Sequence, residues 1–345
     1  MAKRKQLTKK QKRQVGKNLS KRLKEETALP EDESLLPEQI GLVVGRFGQH
    51  ADVRTQAEIT LRCHIRRTIE SVVCGDEVLF RQNKEDGANI QGVIEAVKER
   101  RSLLSRPDFY DGIKPVAANI DQILIVSSLL PAFSTNIVDR YLVATEDVEV
   151  TPIIIINKID LLEEEHVEAL NQAIEQYEQL NYRVIKVSCK SGEGIEELAQ
   201  QLNHKTSVFV GQSGVGKSSL VNALLPESEE AIGEVSENSG LGQHTTTSAK
   251  LIRFAKGGQL IDSPGVREFA LWHLPPDRVT WCFREFRDYI GGCKFRDCRH
   301  ADDPGCIIRE AVDSGKIALD RFENYHSILK SMEEQRPAFS TAPRK

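Results

Sequence analysis

The sequence predicts a multidomain chain with a small β-barrel towards the N-terminus, a central α/β domain and a mostly helical, metal-binding unit at the C-terminus. Three observations support this division. Short alternating patterns fill residues 41–97, strand and helix patterns alternate from about Ile120, and three cysteines cluster with a histidine near the C-terminus. We expect the parts to span residues 1–37, 38–112, 113–273 and 274–345.

The first part, residues 1–37, is predicted to be a basic arm followed by an acidic linker. Residues 1–24 contain 11 Lys/Arg and no Asp/Glu, although the whole chain of 345 residues carries a net charge of −4. With so few apolar residues, the arm is predicted to be disordered alone. Such a segment is typical of an arm for nucleic-acid phosphates or of a solvated tail. Its positive charge on an acidic protein favours the arm.

Hydropathy predicts a cytoplasmic protein that does not enter a membrane. The longest purely apolar run, Ile153–Ile156, is too short to span a bilayer, and no apolar stretch follows the basic arm. We expect the protein to act as a monomer.

Residues 38–112 are predicted to form a barrel of the oligonucleotide-binding (OB) type, because about five short, β-branched runs break at Gly, Asp and Asn. Within residues 41–97 only Phe47 and Phe80 are aromatic, so contact with structured RNA through phosphates and shape is favoured over base stacking. The alternative is a barrel that only packs on its neighbour. The basic residues in or near the barrel are Arg62, Arg66, Arg67, Arg100 and Arg101.

Residues 113–273 are predicted to form a parallel α/β sheet. Buried strands are predicted over 121–129, 151–157, 182–188 and 207–211, with helices over 162–180, 194–202 and 216–225 and a hairpin-like pair before residue 265.

A phosphate-binding loop is predicted at "GQSGVGKS", residues 211–218, since an apolar strand precedes the motif and a helix follows it. The glycines let the backbone approach phosphates closely, and the amides and helix N-terminus face the negative charge. Lys217 is expected to reach the β/γ-phosphates and Ser218 to ligate Mg²⁺. The predicted nucleotide-binding residues here are Gly211, Gln212, Ser213, Gly214, Val215, Gly216, Lys217, Ser218 and Ser219.

The segment "DSPG", residues 262–265, follows the predicted strand "GGQLI". At that position Asp262 is expected to hold Mg²⁺, usually through water, and the amide of Gly265 to meet the γ-phosphate. Between the two motifs lies "SENSGLGQHTTTSAK", a polar loop of the kind that γ-phosphate and Mg²⁺ order. A hydroxyl group from this loop is expected to complete the Mg²⁺ shell, with Thr245 or Thr246 favoured over Thr247.

Guanine selectivity is predicted from "NKID", residues 157–160. The Asp160 carboxylate accepts two hydrogen bonds from the ring N–H and exocyclic amine of guanine, and adenine lacks that amine. Asn157 supports the loop and Lys158 covers the ring with its aliphatic stem. The segment "SCKSG", beginning Ser188, Cys189, Lys190, follows the next predicted strand and is expected to lend an amide to the guanine oxygen. GTP and GDP are therefore the predicted ligands.

A zinc site is predicted from the spacing Cys293-x4-Cys298-x-His300-x5-Cys306. Three thiolates and one imidazole complete a tetrahedron around Zn²⁺ and leave no open position for chemistry, which indicates one structural ion. The other four cysteines have no partners at ligand spacing and are expected to be core residues: Cys63, Cys74, Cys189 and Cys282.

Slow intrinsic hydrolysis is predicted because Val266 stands where many GTPases carry a Gln that orients the attacking water. An aliphatic side chain cannot polarise water. His244, in the polar loop, is the catalytic candidate, and its alternative is a solvent-facing loop histidine.

The order of the motifs is reversed relative to an ordinary GTPase, since the guanine reader precedes the phosphate loop. A sheet whose ends lie close together tolerates such a rearrangement. With the basic arm, the OB-like barrel and the zinc spacing, this order resembles the bacterial small-ribosomal-subunit-dependent GTPase family, RsgA type. The resemblance covers nearly the whole chain.

This resemblance implies a protein that binds the 30S subunit and its 16S rRNA late in maturation. It implies slow GTP hydrolysis stimulated by the subunit, and a role in releasing ribosome-binding factor A. One departure is Gln243, where the family usually has Arg, which removes a positive charge near the phosphates. The alternative is an RNA-binding assembly scaffold in which the nucleotide is structural. A metabolic kinase or ATPase is disfavoured by Asp160.

Overall fold

The computed structural model describes residues 35–84, 89–108, 112–225, 249–254, 256–262, 271 and 273–335. These residues fall into two compact units. One comprises residues 35–101 with residues 249–251, and the other comprises the remaining residues from Ser102 onward. This division into two units does not test the four predicted domain ranges, which stay predictions.

The structure describes thirteen strands and seven α-helices in these residues. The strands are β1 Gln39–Phe47, β2 His50–Arg54, β3 Thr60–Ile65, β4 Glu77–Gln82, β5 Gly92–Val97, β6 Leu103–Asp108, β7 Gly112–Ala118, β8 Gln122–Ser128, β9 Thr151–Asn157, β10 Arg183–Lys186, β11 Thr206–Val210, β12 Lys250–Arg253 and β13 Gln259–Asp262. The α-helices are α1 Thr135–Asp147, α2 Glu164–Gln179, α3 Ile195–Leu202, α4 Lys217–Leu224, α5 Pro276–Cys282, α6 Ile307–Asp313 and α7 Leu319–Gln335.

The first unit is a closed five-stranded barrel. Strand β1 pairs with both β2 and β4, and β2 pairs with β3. Strand β5 pairs in parallel with β3 and antiparallel with β4, which completes the ring. Alternate side chains point inward, as period-2 strands require, and fill the core with Val43, Val53, Phe80 and Ile94. The barrel of OB type predicted from the sequence is thereby confirmed.

Several arginines expected to meet RNA form ion pairs within this barrel. Arg100 donates from Nε and Nη2 to Asp76, at 2.7 and 2.9 Å, and that carboxylate is fully buried. Arg62 binds Asp52 at 2.8 Å. Arg66 is paired in the same way with a buried glutamate. These guanidinium groups are therefore already paired with carboxylates of the barrel itself.

The second unit contains a five-stranded parallel sheet in the order β10-β9-β8-β11-β13. Strand β8 lies at its centre and is buried along its whole length, which is typical of a parallel strand covered on both faces. Ile153–Ile156 of β9 are also buried. The predicted central α/β domain is confirmed, and every strand and helix predicted for it is present within one to three residues at each end.

Two elements of this unit were not predicted. The hairpin of β6 and β7 contains Pro107 and Pro115, residues that are rare within strands. Helix α1 was missed because its buried face includes Asp139, Thr145 and Glu146 beside apolar residues. Buried polar side chains interrupt the apolar spacing from which a helix is recognised.

The C-terminal part is mostly helical, as predicted, and has an aromatic core. The Phe283 and Phe286 rings stack with centroids 5.0 Å apart, and Tyr325 meets both edge-on. Val143 and Ala144 of α1 belong to the same apolar cluster, so this helical part packs on the α/β sheet's own helix. Among the described residues, no helix combines the length and apolar character that a membrane span requires.

The barrel leaves no room for a side chain at Gly92. A Cβ there would lie 2.6 Å from the backbone oxygen of Arg81, an atom that cannot move without breaking the β4–β5 pairing. We expect Gly92→Ala to lower the free energy of unfolding by about 1–3 kcal/mol. Urea unfolding measures this. Gly48→Asn is the control, since nothing lies within 4 Å of that position and Asn tolerates its φ of 61°. Equal stability of the two variants would contradict the packing argument.

Candidate nucleotide and zinc sites

The predicted nucleotide-binding loops follow neighbouring strands of the parallel sheet. The 157–160 loop follows β9, the 188–192 loop follows β10, the 211–216 loop follows β11, and Asp262 ends β13. Carboxyl ends of parallel strands meet at one edge of a sheet, which is where ligands bind in such folds. Segments distant in the chain therefore share one edge.

The phosphate loop has the backbone that its glycines were predicted to allow. Gly211 and Gly216 have φ values of 145° and 91°, a region unfavourable to residues with a Cβ. A Cβ on Gly216 would lie 2.3 Å from Nδ2 of Asn157, and one on Gly211 would lie 2.1 Å from the Val126 oxygen. Only glycine fits this close approach of the backbone to the neighbouring loops.

The lysine of this loop folds back over the loop itself. Nζ of Lys217 donates to the backbone oxygens of Gly211 and Gln212, at 2.7 and 2.5 Å. Helix α4 begins at Lys217 and continues through Ser218 and Ser219. The ammonium group thus lies over the concave side of the loop, at the N-terminal end of a helix, where the helix dipole favours an anion.

Asn157 and Lys158 join the guanine-reading loop to the phosphate loop. The buried Asn157 donates from Nδ2 to the Val215 oxygen at 2.9 Å, across 58 positions of sequence. Lys158 has a left-handed backbone (φ 62°), and its Nζ donates to the oxygens of Gly214 and Leu130, at 2.6 Å each. The two loops that the sequence separates are in direct contact.

The third loop closes on Asp160. Oγ of Ser188 donates to Oδ1 of Asp160 at 2.6 Å and accepts the amides of Lys190 and Ser191, at 3.2 and 3.1 Å. Nζ of Lys190 lies 3.9 Å from Oδ2 of the same carboxylate. Burial, and after it the negative charge of Asp160, raises the pKa of the Cys189 thiol. The carboxylate is thus held in a fixed orientation by the loop that follows β10.

The residues at this edge fit a guanine nucleotide. Oδ1 of Asn157 is buried and has no hydrogen-bond partner in the described part of the chain, as expected where a ligand donor is to arrive. The Asp160 side chain is 18% exposed, so its carboxylate remains within reach of a base. Asp262, at the end of β13 beside β11, stands at the same edge as Ser218. The ligand roles of these residues stay predictions.

Sequence reasoning missed the loop that follows β8. Oγ of Ser128 donates to the Leu130 oxygen at 2.9 Å, the same atom that receives the Lys158 ammonium. Pro131 lies against Gly214, since a Cβ on that glycine would be 3.7 Å from the proline ring. The only available signal was that a strand of the same sheet ends at Ser128. The contacting atoms are mostly backbone carbonyls, which no motif records.

Other predicted positions lie outside the described residues. They include the catalytic candidate, the threonines proposed for Mg²⁺, the γ-phosphate glycine and the two departures from the usual pattern: His244, Thr245, Thr246, Thr247, Gly265, Gln243 and Val266. Their roles remain predictions.

The four predicted zinc ligands converge. Nδ1 of His300 lies 3.5 Å from each of the three Sγ atoms, of Cys293, Cys298 and Cys306, and the four ligand atoms all lie within 4.8 Å of one another. Tetrahedral Zn²⁺ with ordinary bond lengths separates a sulfur ligand from a nitrogen ligand by about 3.6 Å. The arrangement is compatible with one zinc ion.

Neighbouring groups fix the shape of this cluster. The backbone oxygen of His300 contacts Nε2 of His326 at 2.9 Å, and the Asp303 carboxylate accepts the amides of Arg299 and Ala301, at 3.0 and 3.3 Å. Burial lowers the pKa of His300, which favours the neutral imidazole that binds metals. Burial also raises the pKa of the Cys298 thiol to about 12, so a cation is needed to hold it as a thiolate.

A phosphate loop and a guanine loop at one edge of a parallel sheet, in reversed sequence order, define a circularly permuted P-loop GTPase. Comparison with known proteins agrees. Residues 97–272 match the family model described as RsgA GTPase. The chain belongs to the RsgA GTPase family, and it is a GTPase.

Similar proteins cover nearly the whole chain. A small ribosomal subunit biogenesis GTPase RsgA from Shewanella oneidensis is 60% identical over 98% of this chain and 98% of its own. One from Vibrio cholerae is 56% identical over 97% of this chain and 88% of its own. The crystal structure of YjeQ from Thermotoga maritima has a TM-score of 0.70 at 34% identity, covering 87% of this chain and all of its own. YloQ, described as a circularly permuted GTPase, has a TM-score of 0.68 at 25% identity, covering 90% of this chain and all of its own.

Removing one predicted zinc ligand tests the metal site. We expect Cys298→Ser to lower the bound zinc from about one ion per chain to a small fraction of that, because a neutral hydroxyl replaces a thiolate in a tetrahedral site. Metal content after dialysis, measured by inductively coupled plasma mass spectrometry, reports the result. Cys282→Ser is the matched control, since Cys282 is buried in the same apolar cluster but lies outside the ligand group. Full zinc retention in Cys298→Ser would contradict the assignment.

Proposed function

We propose that this chain is a GTP-hydrolysing factor that binds the 30S subunit and its 16S rRNA late in maturation, with slow intrinsic hydrolysis stimulated by the subunit. The direct contact of Asn157 with Val215 carries the proposal, because it joins a guanine reader to a phosphate loop. The relatives that match over almost their whole length are named small ribosomal subunit biogenesis GTPases. The proposal extends to release of ribosome-binding factor A, and to action as a monomer in the cytoplasm.

In this proposal each loop has a distinct task. Asp160 accepts the two donors of guanine, the loop from Ser188 to Lys190 contributes an amide to the guanine oxygen, and the 211–219 segment surrounds the phosphates. The contact from Ser188 supports this, since it holds the Asp160 carboxylate in one orientation before any base arrives. A preorganised acceptor discriminates better than a mobile one.

Hydrolysis requires Lys217 to leave its carbonyl partners. Its ammonium group now bonds Gly211 and Gln212, and the same reach allows it to bond β- and γ-phosphate oxygens instead. Ser218 and Asp262 would hold Mg²⁺, with Thr245 or Thr246, and bound Mg²⁺ neutralises charge that develops on the phosphates. The amide of Gly265 would meet the γ-phosphate, and His244 is proposed to orient water.

An exposed basic and aromatic patch on the zinc-binding loop supports contact with RNA. Lys294, Arg296 and Arg299 are exposed, and none has a carboxylate partner in the residues that the structure describes. Phe295 is 45% exposed, and the Lys294 ammonium lies 5.5 Å from its ring centroid. Cations beside an exposed ring are suited to phosphates and an unpaired base. The one structural zinc ion would fix the conformation of the loop that carries this patch.

Asp160→Asn tests guanine recognition. Asn retains the acceptor that bonds Ser188 but presents an N–H₂ group to the base, so one guanine donor meets another donor. We expect GTP and GDP affinity to fall by about a hundredfold or more. Competition against a fluorescent GDP analogue measures these affinities. The control Glu163→Gln removes an exposed carboxylate three residues later and should leave affinity unchanged. Wild-type affinity in Asp160→Asn would refute the guanine assignment.

Subunit dependence is tested by GTP turnover with purified 30S subunits. We expect the 30S subunit to raise the turnover rate by roughly tenfold or more, a barrier reduction of about 1.4 kcal/mol or more, because a partner supplies groups that the free chain lacks. The 50S subunit serves as the control partner, and Lys217→Ala should remove turnover in every condition. Equal rates with and without 30S would overturn the subunit-dependent part. A scaffold would keep its function in Lys217→Ala.

A further inference from the structure

Helix α1 connects the predicted nucleotide edge to the C-terminal helices. The loop before it holds the Leu130 oxygen, which accepts both the Ser128 hydroxyl and the Lys158 ammonium. That ammonium also binds Gly214 of the phosphate loop. Only four residues separate Leu130 from the first residue of α1. The first turn of α1 is therefore tied closely, along the chain, to the carbonyl that binds the bridging lysine.

The middle of α1 carries a fully buried carboxylate, Asp139. It accepts hydrogen bonds from Arg321 of α7, from Nδ2 of Asn324 at 2.7 Å and from the hydroxyl of Tyr177 at 2.9 Å. Arg321 is 3% exposed and also donates from Nε and Nη2 to Glu285, at 2.7 and 3.1 Å. Burial alone would lower the pKa of Arg321, but the carboxylates of Asp139 and Glu285 raise it well above its ordinary value. The Asp139 carboxylate has its cationic partner only when α7 is docked on α1, whereas Arg321 is also paired with Glu285.

The same side chains reach the first turn of α1. Asn324 donates to Oγ1 of Thr135 at 3.2 Å and accepts from Nδ2 of Asn136 at 3.2 Å. The hydroxyl of Tyr177 contacts the Thr135 oxygen at 3.4 Å. The buried charges and the first turn therefore form one network, which ends five residues after the carbonyl that binds Lys158.

We propose that Asp139 and Arg321 are positioning residues for guanine-nucleotide binding, which act by seating α7 on α1 and so fixing the Leu130 carbonyl that holds Lys158. The inference rests on the proposed nucleotide site. Coupling between two sites is reciprocal in binding free energy, so bound nucleotide stabilises the docked α7 by the same factor. Docking of the zinc-bearing helical part thereby strengthens nucleotide binding, and bound nucleotide strengthens that docking.

The test compares Asp139→Asn and Arg321→Gln with Arg278→Gln in the full-length protein. Arg278 also joins the C-terminal part to α1, through Asp147 at 2.8 Å, but it binds the opposite end of that helix. We expect Arg321→Gln to weaken fluorescent GDP binding by about tenfold, and Asp139→Asn by about threefold or more, within the usual range of coupling. Arg278→Gln should stay within about twofold of wild type. Zinc content and the unfolding midpoint establish that each variant is folded.

Hydrogen–deuterium exchange without nucleotide gives a second readout. Peptides covering residues 128–134, 157–160 and 211–216 should exchange faster in Asp139→Asn and Arg321→Gln than in Arg278→Gln. Should Arg321→Gln fail to fold, Asp139→Asn decides the matter, because its amide oxygen can retain the bond from Tyr177 while the negative charge that faces Arg321 is lost.

Two results would overturn the inference: wild-type affinity and exchange in both folded variants, or the same loss in Arg278→Gln. If the wild-type chain itself does not bind GDP, the proposed function fails. The exchange of the three loops then still decides whether the network positions them.

Discussion

The Lys158 ammonium group is the contact on which the nucleotide edge depends. It lies 2.6 Å from each of two carbonyl oxygens, Gly214 and Leu130, and so ties the end of β9 to the loops that follow β11 and β8. Charge-assisted hydrogen bonds of this kind are about twice as strong as neutral ones. The aliphatic stem that carries the ammonium is the same one expected to cover the base. One side chain thus joins the 157–160 loop, the phosphate loop and the loop before α1.

Arginine–carboxylate pairs join the C-terminal helices to α1 beside the apolar contacts of Val143 and Ala144, and these pairs differ in how much they stabilise the docking. Pairs that are about a third exposed contribute little each, because water screens them. The buried pair differs, since loss of Arg321 leaves the Asp139 carboxylate buried without a cationic partner. The pairs are Arg278 with Asp147, Arg284 and Arg287 with Glu146, and Arg321 with Asp139.

Much of this arrangement could be predicted from the sequence because its chemistry lies in short motifs. Three short motifs carry it: the glycine-rich phosphate loop, the segment that ends in Asp160 and the zinc-ligand spacing. Each is a combination of residue types that few other structures require. Parallel pairing then brings loops at successive strand ends to one edge, so the contact between Asn157 and Val215 follows from the fold class.

The remainder depends on tertiary contacts that leave no local pattern. Asp139 on a buried helix face looks like a surface residue until Arg321 is known to meet it, 182 positions later. Leu130 contributes through its carbonyl oxygen, a group that every residue carries. The barrel arginines show the same effect, since Arg62 and Arg100, which the sequence suggested for RNA contact, form ion pairs with acidic residues of their own barrel. Charge on a sequence does not reveal which charges are already neutralised.

The strand order of the sheet also matters for biosynthesis. Strands β8, β9 and β10 are consecutive in the chain and adjacent in space, whereas β11 and then β13 extend the sheet on the other side of β8. As the chain leaves the ribosome, its base-reading half has all its strands before the phosphate-binding strand emerges. The contact between Ser188 and Asp160 can form in that shorter chain, and the bond from Asn157 to Val215 cannot. In a growing chain the loop that follows β9 and the loop that follows β11 can therefore meet only after Val215 has been synthesised.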